Sequence, residues 1–170
     1  MNRFHHLLRI LVIGLFLGAS AICSATEPLV DLLTVDGQQG PFFPDKCCWV
    51  DLPRTERLRA AKMAEMCSAI GGPVGNFRLA DGKIWLDGLR RCGGNMPLEE
   101  VYPELDQPAF ASWLNGMFTA KSGFVCHSRH NGFLEYFYRT TLRLRVENGV
   151  VTNLQRQEND LVACRTDIEK

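Results

Sequence analysis

Three arginines, Arg139, Arg143 and Arg145, occupy odd positions in a stretch that alternates apolar and polar residues. In a strand they share one face. Guanidinium forks bind carboxylates and phosphates bidentately, so this row is a candidate surface for an acidic partner protein, a glycan carboxylate or a lipopolysaccharide phosphate. The bland expectation is a solvated face whose charges pair across strands with Glu135 and Glu147. Trp85 and Trp113 are the aromatic residues best suited to anchor a partner beside that row.

Carboxylates supply the second kind of chemistry. Glu99, Glu100, Glu104 and Asp106 cluster in sequence between Trp85 and Trp113, with Asp87 next to the first tryptophan. Paired carboxylates beside aromatic rings serve glycoside cleavage, so a small envelope hydrolase using Asp87, Glu99 or Glu100 is the alternative functional reading. Acidic residues on an irregular surface segment are ordinarily just solvated. His127 and His130, with Cys126 and Glu135 nearby, have metal-ligand chemistry. Residues three apart on a strand face opposite ways, however, and His130 falls in an expected turn, so no metal site is expected. Gly71-Gly72-Pro73-Val74-Gly75 lacks the Lys-Ser/Thr of a phosphate loop, and no G-x-S-x-G occurs. No cofactor is expected.

The amino terminus sets the compartment in which this chemistry would act. Arg3 and Arg9, the apolar run from Ile10 to Ile22 and small residues through Ala25 read as a signal peptide spanning residues 1–25. The run is too short for a bilayer-spanning helix, which needs about 20 residues. Processing after Ala25 leaves six cysteines, Cys47, Cys48, Cys67, Cys92, Cys126 and Cys164, all expected in structural disulfides. Processing after Ala21 would strand Cys23 as a seventh. The expected mature chain, residues 26–170, is a single exported domain, periplasmic or secreted, with no transmembrane anchor. The 170-residue chain balances 19 basic against 19 acidic residues, and loss of Arg3 and Arg9 takes the mature charge to −2. An obligate nucleic-acid binder would show a basic excess instead.

Cysteine spacing adds constraint. Adjacent Cys47 and Cys48 would form a strained ring if joined to each other, so each is expected to reach a distant partner and pin two elements to one corner. There is no C-x-x-C, which removes support for thioredoxin-type exchange or a zinc ribbon. Cys126 and Cys164 are expected to pair and lock the carboxy-terminal tail.

The elements that must position these groups follow from periodicity. Leu29 to Val35 reads as a first strand closed by Asp36-Gly37, and Gly40 to Pro44 as a stiff loop. From Pro53 to Ile70, Ala60, Met63, Ala64, Cys67 and Ile70 form a stripe at helical spacing. Asp51 or Thr55 caps the start of that helix, and Gly71-Gly72-Pro73 ends it. A two-residue Asp81-Gly82 turn pairs Leu79 with Ile84 and Phe77 with Leu86, with Trp85, Asp87 and Leu89 on the opposite face. The strand runs to about Arg91. Pro97 to Pro108 holds short helical turns. Trp113-Leu114-Asn115-Gly116-Met117 echoes Trp85 to Leu89 and reads as a second strand with the same bend glycine.

Ser122 to Ser128 is expected to be a strand joined through Arg129 to Gly132 to a long strand from Leu134 to Val146. For the next turn, a three-residue loop Glu147-Asn148-Gly149 pairs Val146 with Val150 and Leu142 with Leu154. It is preferred on hydrophobic register to the two-residue Asn148-Gly149 loop. The sum is an α+β domain: a mainly antiparallel sheet of about five or six strands, one amphipathic helix packed on it, and disulfide staples. Function follows mostly from absence: a non-catalytic binding module of the inhibitor, immunity or envelope-accessory type. Its partner is expected to be another protein or an envelope component, not nucleic acid.

Overall fold

The computed structural model describes residues 28–46, 48–65, 72–130, 133–161 and 164, with only the backbone of residues 129, 130 and 133. The expected signal peptide, Cys47 and Cys67 lie outside the described residues. In chain order the elements are β1 (Leu32–Val35), β2 (Gln38–Pro44), α1 (Glu56–Met63), β3 (Val74–Ala80), β4 (Lys83–Arg91), β5 (Gly94–Met96), a 3-10 turn (Leu98–Glu100), β6 (Ala109–Phe110), β7 (Gly116–His130), β8 (Phe133–Glu147) and β9 (Val150–Glu158).

Three hairpins share one turn chemistry. Asp36-Gly37, Asp81-Gly82 and Asn148-Gly149 all have positive φ at both central positions, as type I′ turns require, and Asp or Asn followed by Gly is the cheapest way to supply that. The Asp81-Gly82 register matches expectation, with Phe77 opposite Leu86 and Leu79 opposite Ile84. A bulge then makes Asp87 an extra residue, since Phe77 faces Leu86 and Asn76 faces Gly88. The side-chain alternation slips by one at that point. Leu89, expected beside Trp85 and Asp87, is therefore turned into the core and fully buried.

The sheet is larger than five or six strands, and it is mixed. Nine strands join in the order β3-β1-β2-β7-β8-β9-β4-β5, β6 adds to β4, and β3 also pairs with β4. Seven strands therefore form a ring, from β3 through β1, β2, β7, β8, β9 and β4 back to β3. β1 and β3 run parallel, and the connection between them contains α1. The ring closes at β9 and β4 through the Lys83–Val150 bridge, with Ile84 N–H donating to the Gly149 carbonyl and Val151 N–H to the Gly82 carbonyl, each at 2.8 Å. Inside it Phe42 meets Phe77 edge-on at 5.5 Å and stacks on Phe118 at 5.2 Å. Leu33, Ile84, Leu86, Leu142 and Leu144 complete a filled interior.

Part of the missed sheet is β2. Its two prolines suggested a loop, yet Pro41 sits at the last position paired with β1, and pairing with β7 starts one residue later at Phe42. The missing N–H of Pro41 therefore breaks no ladder bond to β7, and Pro44 is the last residue of the strand, paired with Phe118. Gly40 is required there, because a Cβ would collide with the Lys121 carbonyl oxygen.

The helix is shorter and rotated relative to expectation. It ends at Met63, and Thr55 caps it by accepting the Leu58 N–H at 3.0 Å. The buried side holds Leu58 with Ala61 beside the core, whereas Ala60 and Ala64 are exposed and Met63 is 80% exposed. The core contact runs through the 3-10 segment: Thr55 donates to the Val101 carbonyl, and fully buried Tyr102 donates its hydroxyl to the Pro53 carbonyl at 2.9 Å. Of the predicted stripe, Cys67 and Ile70 lie outside the described residues, as does Gly71 of the expected helix stop.

The long carboxy-terminal strand is as expected from Leu142 to Val146, where even positions are buried and odd ones exposed. Its turn is not the three-residue loop. Glu147 faces Val150 across Asn148-Gly149, and Thr152 is then bulged out, so that Leu144 faces Leu154 and Leu142 faces Arg156. One bulge keeps the Asn148-Gly149 turn while bringing Leu144 opposite Leu154, and neither expected pair, Val146 with Val150 or Leu142 with Leu154, forms. β7 begins six residues earlier than expected and runs into the expected turn, because Arg129 and His130 pair with Leu134 and Phe133. The echo of Trp85 to Leu89 is half strand only: Trp113 is in a turn, Leu114 and Asn115 belong to no strand, and β7 starts at Gly116. The Cys126–Cys164 disulfide is present, and Cys48 and Cys92 are disulfide-bonded as well.

Candidate functional site

Where β2 ends and β7 begins, Pro44 faces Phe118 and the Asp45 N–H donates to the Met117 carbonyl at 3.1 Å. Two tryptophans flank this corner. The Trp49 indole N–H donates to the Leu29 carbonyl at 2.8 Å, and the Trp113 indole N–H to the Asp51 carbonyl at 2.9 Å. Both polar ring edges are thus satisfied by backbone, which holds the half-buried rings in place while each lines the corner with its remaining surface. Between them lies a cleft of about 550 Å³ with Pro44, Trp49, Trp113 and Met117 as apolar walls and Asp45, Lys46 and Asp51 as polar ones.

Asp31 supports the Trp49 side of the cleft. It is 1% exposed, and its carboxylate accepts the Val50 N–H at 2.7 Å and the Gly75 N–H at 2.6 Å. Burial pushes its carboxyl up to about 6, although the two amide donors and the Arg90 charge pull the other way. Asn115 supports the Trp113 side. Its amide donates to the Trp113 carbonyl and its oxygen accepts the Asn148 N–H at 2.8 Å, tying the cleft to the β8–β9 turn.

A second hollow, of about 300 Å³, is bounded by Asn115, Gly116, Met117, Arg145, Val146 and Glu147. It shares Asn115 to Met117 with the first. Gly116 has φ +123°, and a Cβ there would meet nothing within 4 Å, so the saddle between the hollows is open. The cleft thus continues onto the sheet face that carries the arginine row: Met117 faces Arg145 and Thr119 faces Arg143.

Arg139, Arg143 and Arg145 are all exposed, and among the described residues none of them forms an ion pair. The expected partners are out of position. Glu135 faces Ser128 and Glu147 faces Val150, while Arg143 and Arg145 stand opposite the neutral Gln155 and Asn153. Trp113 and Arg145 therefore meet around Met117, with Arg143 next along the strand. Trp85 is elsewhere: it faces Arg78 on β3 and packs against Phe110 at 5.4 Å, bordering neither hollow.

The other sequence candidates are dispersed. Asp87 is held bidentately by Arg78 at 3.0 and 3.2 Å. Glu99 and Glu100 are exposed on the 3-10 turn, and Glu104 and Asp106 are exposed beyond it. His127 faces Tyr136, with ring centroids 6.2 Å apart. Sequence reasoning missed Asp45, Lys46, Trp49 and Asp51. Their signal was proximity to Cys48, since a tryptophan next to a disulfide-bonded residue is itself restrained. No protein-family model matches the chain, and comparison with curated proteins and with solved structures finds no match.

Proposed function

We propose that the mature chain is an exported, non-catalytic binding module that docks an anionic partner on the β7–β8 face through Arg139, Arg143 and Arg145, with Trp113 at the edge of the contact. The observation that carries this reading is the absence of carboxylate partners for the three guanidiniums among the described residues. An exposed charge already paired within the fold gains little from a new partner, whereas an unpaired arginine can give its full fork to a carboxylate or phosphate. The Cys126–Cys164 disulfide supports an oxidising compartment, which agrees with the leader-like amino terminus.

The test is capture from envelope extract by immobilised residues 26–170, compared with the triple variant R139E/R143E/R145E. Capture should be lost in the variant and should weaken with rising salt, because the contact is electrostatic. The thermal midpoint should stay close to that of the parent, since exposed substitutions of this kind cost within about 0.5 kcal/mol each. An unchanged set of captured molecules would remove the arginine row from the function.

A further inference from the structure

We infer that the cleft between Trp49 and Trp113 is a saccharide site that takes a short neutral oligosaccharide. This goes beyond the arginine-face reading and, although the two surfaces adjoin at Trp113 and Arg145, stands on Trp49, Asp45, Lys46 and Asp51, which that reading does not use.

The first observation is the state of the indoles. Each ring N–H is already spent on a backbone carbonyl, that of Leu29 or of Asp51, so what each tryptophan offers a ligand is the apolar ring surface it contributes to the cleft lining. A pyranose ring has an apolar C–H face that lies against such a surface while its hydroxyls point outward.

The second observation is the composition of the rim. Asp45 and Asp51 accept hydrogen bonds and Lys46 donates them. A hydroxyl is donor and acceptor at once, so vicinal hydroxyls can bridge such a mixed set. The charges nearly cancel, with Lys46 and Arg145 against Asp45, Asp51 and Glu147 along the joined hollows, which does not favour an anion. The third observation is shape. A volume of about 550 Å³ lies within the range of small-molecule sites, and the open saddle at Gly116 lets a chain of rings continue beyond the cleft.

A peptide is the competing occupant, since Pro44 and Met117 would suit its apolar side chains. An extended peptide, however, gains affinity by pairing with a free strand edge. Here the Asp45 N–H and the Met117 carbonyl are bonded to each other.

The experiment uses the mature chain with its disulfides intact, titrated with cellotriose, chitotriose and maltotriose and followed by tryptophan fluorescence and calorimetry. At least one trisaccharide should quench fluorescence saturably, with a Kd of about 1 mM or tighter. Trp49→Ala and Trp113→Ala should each weaken binding by about three- to tenfold, the loss of one ring-stacking contact. Should either variant fold poorly, the exposed pair Asp51→Asn and Lys46→Met keeps the test open, and each should weaken binding measurably without lowering the thermal midpoint. No saturable binding to any of the three sugars overturns the inference. So does unchanged affinity in both rim variants, or saturation of the cleft by a proline-rich peptide with no response to sugar. Loss of sugar binding leaves partner capture through the arginine row standing, and the reverse also holds.

Discussion

Asp31→Asn tests the physical account of the cleft most directly, because Asp31 joins the segment before β1 to the Trp49 loop and to β3 through two amide contacts. Its carboxyl rises from an ordinary 3.8 to about 6, chiefly through burial, while the Val50 and Gly75 amides and the charge of Arg90 oppose the rise. A shift of roughly two units corresponds to about 3 kcal/mol. The folded-state value lies above the unfolded one, so this stabilisation is fully present below about pH 4 and is lost as pH rises through about 6. Asparagine is neutral at every pH. Its oxygen serves one amide, but its NH2 group meets the other, a pH-independent cost of about 1 to 3 kcal/mol. The unfolding free energy of the parent minus that of D31N should therefore begin positive near pH 4 and fall by about 3 kcal/mol by pH 7.5, ending close to zero or below. Urea titrations of both oxidised proteins across that range measure the difference, in which the titration of all other groups cancels. A flat difference, or one that grows with pH, would mean that the amides and Arg90 outweigh desolvation, and the reasoning would be refuted.

Three further outcomes are expected. Gly149→Ala forces φ +78° on a residue with a side chain and sets its Cβ 2.6 Å from the Ala111 carbonyl oxygen, so thermal melts should show a loss of more than about 2 kcal/mol. Replacing both Cys126 and Cys164 with serine opens a bridge between residues 38 apart in sequence and should cost about 4 kcal/mol in denaturant unfolding, a loss absent under reducing conditions. If the proposed export holds, intact-mass measurement should place the mature amino terminus at Thr26, and a start at Ile22 would show that Cys23 is retained.

Local turn chemistry was the most legible part of the fold. The Asp81-Gly82 register, the Thr55 cap and the Cys126–Cys164 bridge follow from short-range rules or from proximity of elements, and each is found. What periodicity could not supply was the effect of single extra residues. One bulge at Asp87 turned Leu89 inward, and another at Thr152 kept the two-residue turn while placing Leu144 opposite Leu154, because each shifts a period-two pattern by one. The helix stripe failed for a different reason. Alanine and methionine tolerate either side of a short helix, and the 3-10 segment that chose Leu58 and Ala61 lies some 40 residues away in sequence, beyond any local window. Of the candidate site, Trp113 and the arginine row were readable as residue types. Their meeting at Met117 needed the pairing of β7 with β8.

The β8–β9 turn shows why the site and the closure of the ring are one problem. As a local hairpin it needs only Asn148 and Gly149 in left-handed conformations. In the fold, the Asn148 N–H also binds Asn115, the Gly149 N–H binds the Leu114 carbonyl, and the Gly149 carbonyl takes the Ile84 N–H from β4. Moving Gly149 into a three-residue loop would shift each of these donors and acceptors, so tertiary contacts demand the two-residue form, and the bulge at Thr152 absorbs the register cost. The same bonds hold Leu114 and Asn115, hence Trp113 at the cleft, against the strand that carries Arg143 and Arg145. Site geometry is therefore coupled to the β9–β4 seam, the weakest pairing in the ring, and a ligand that holds Trp113 in place should stabilise that seam by mass action.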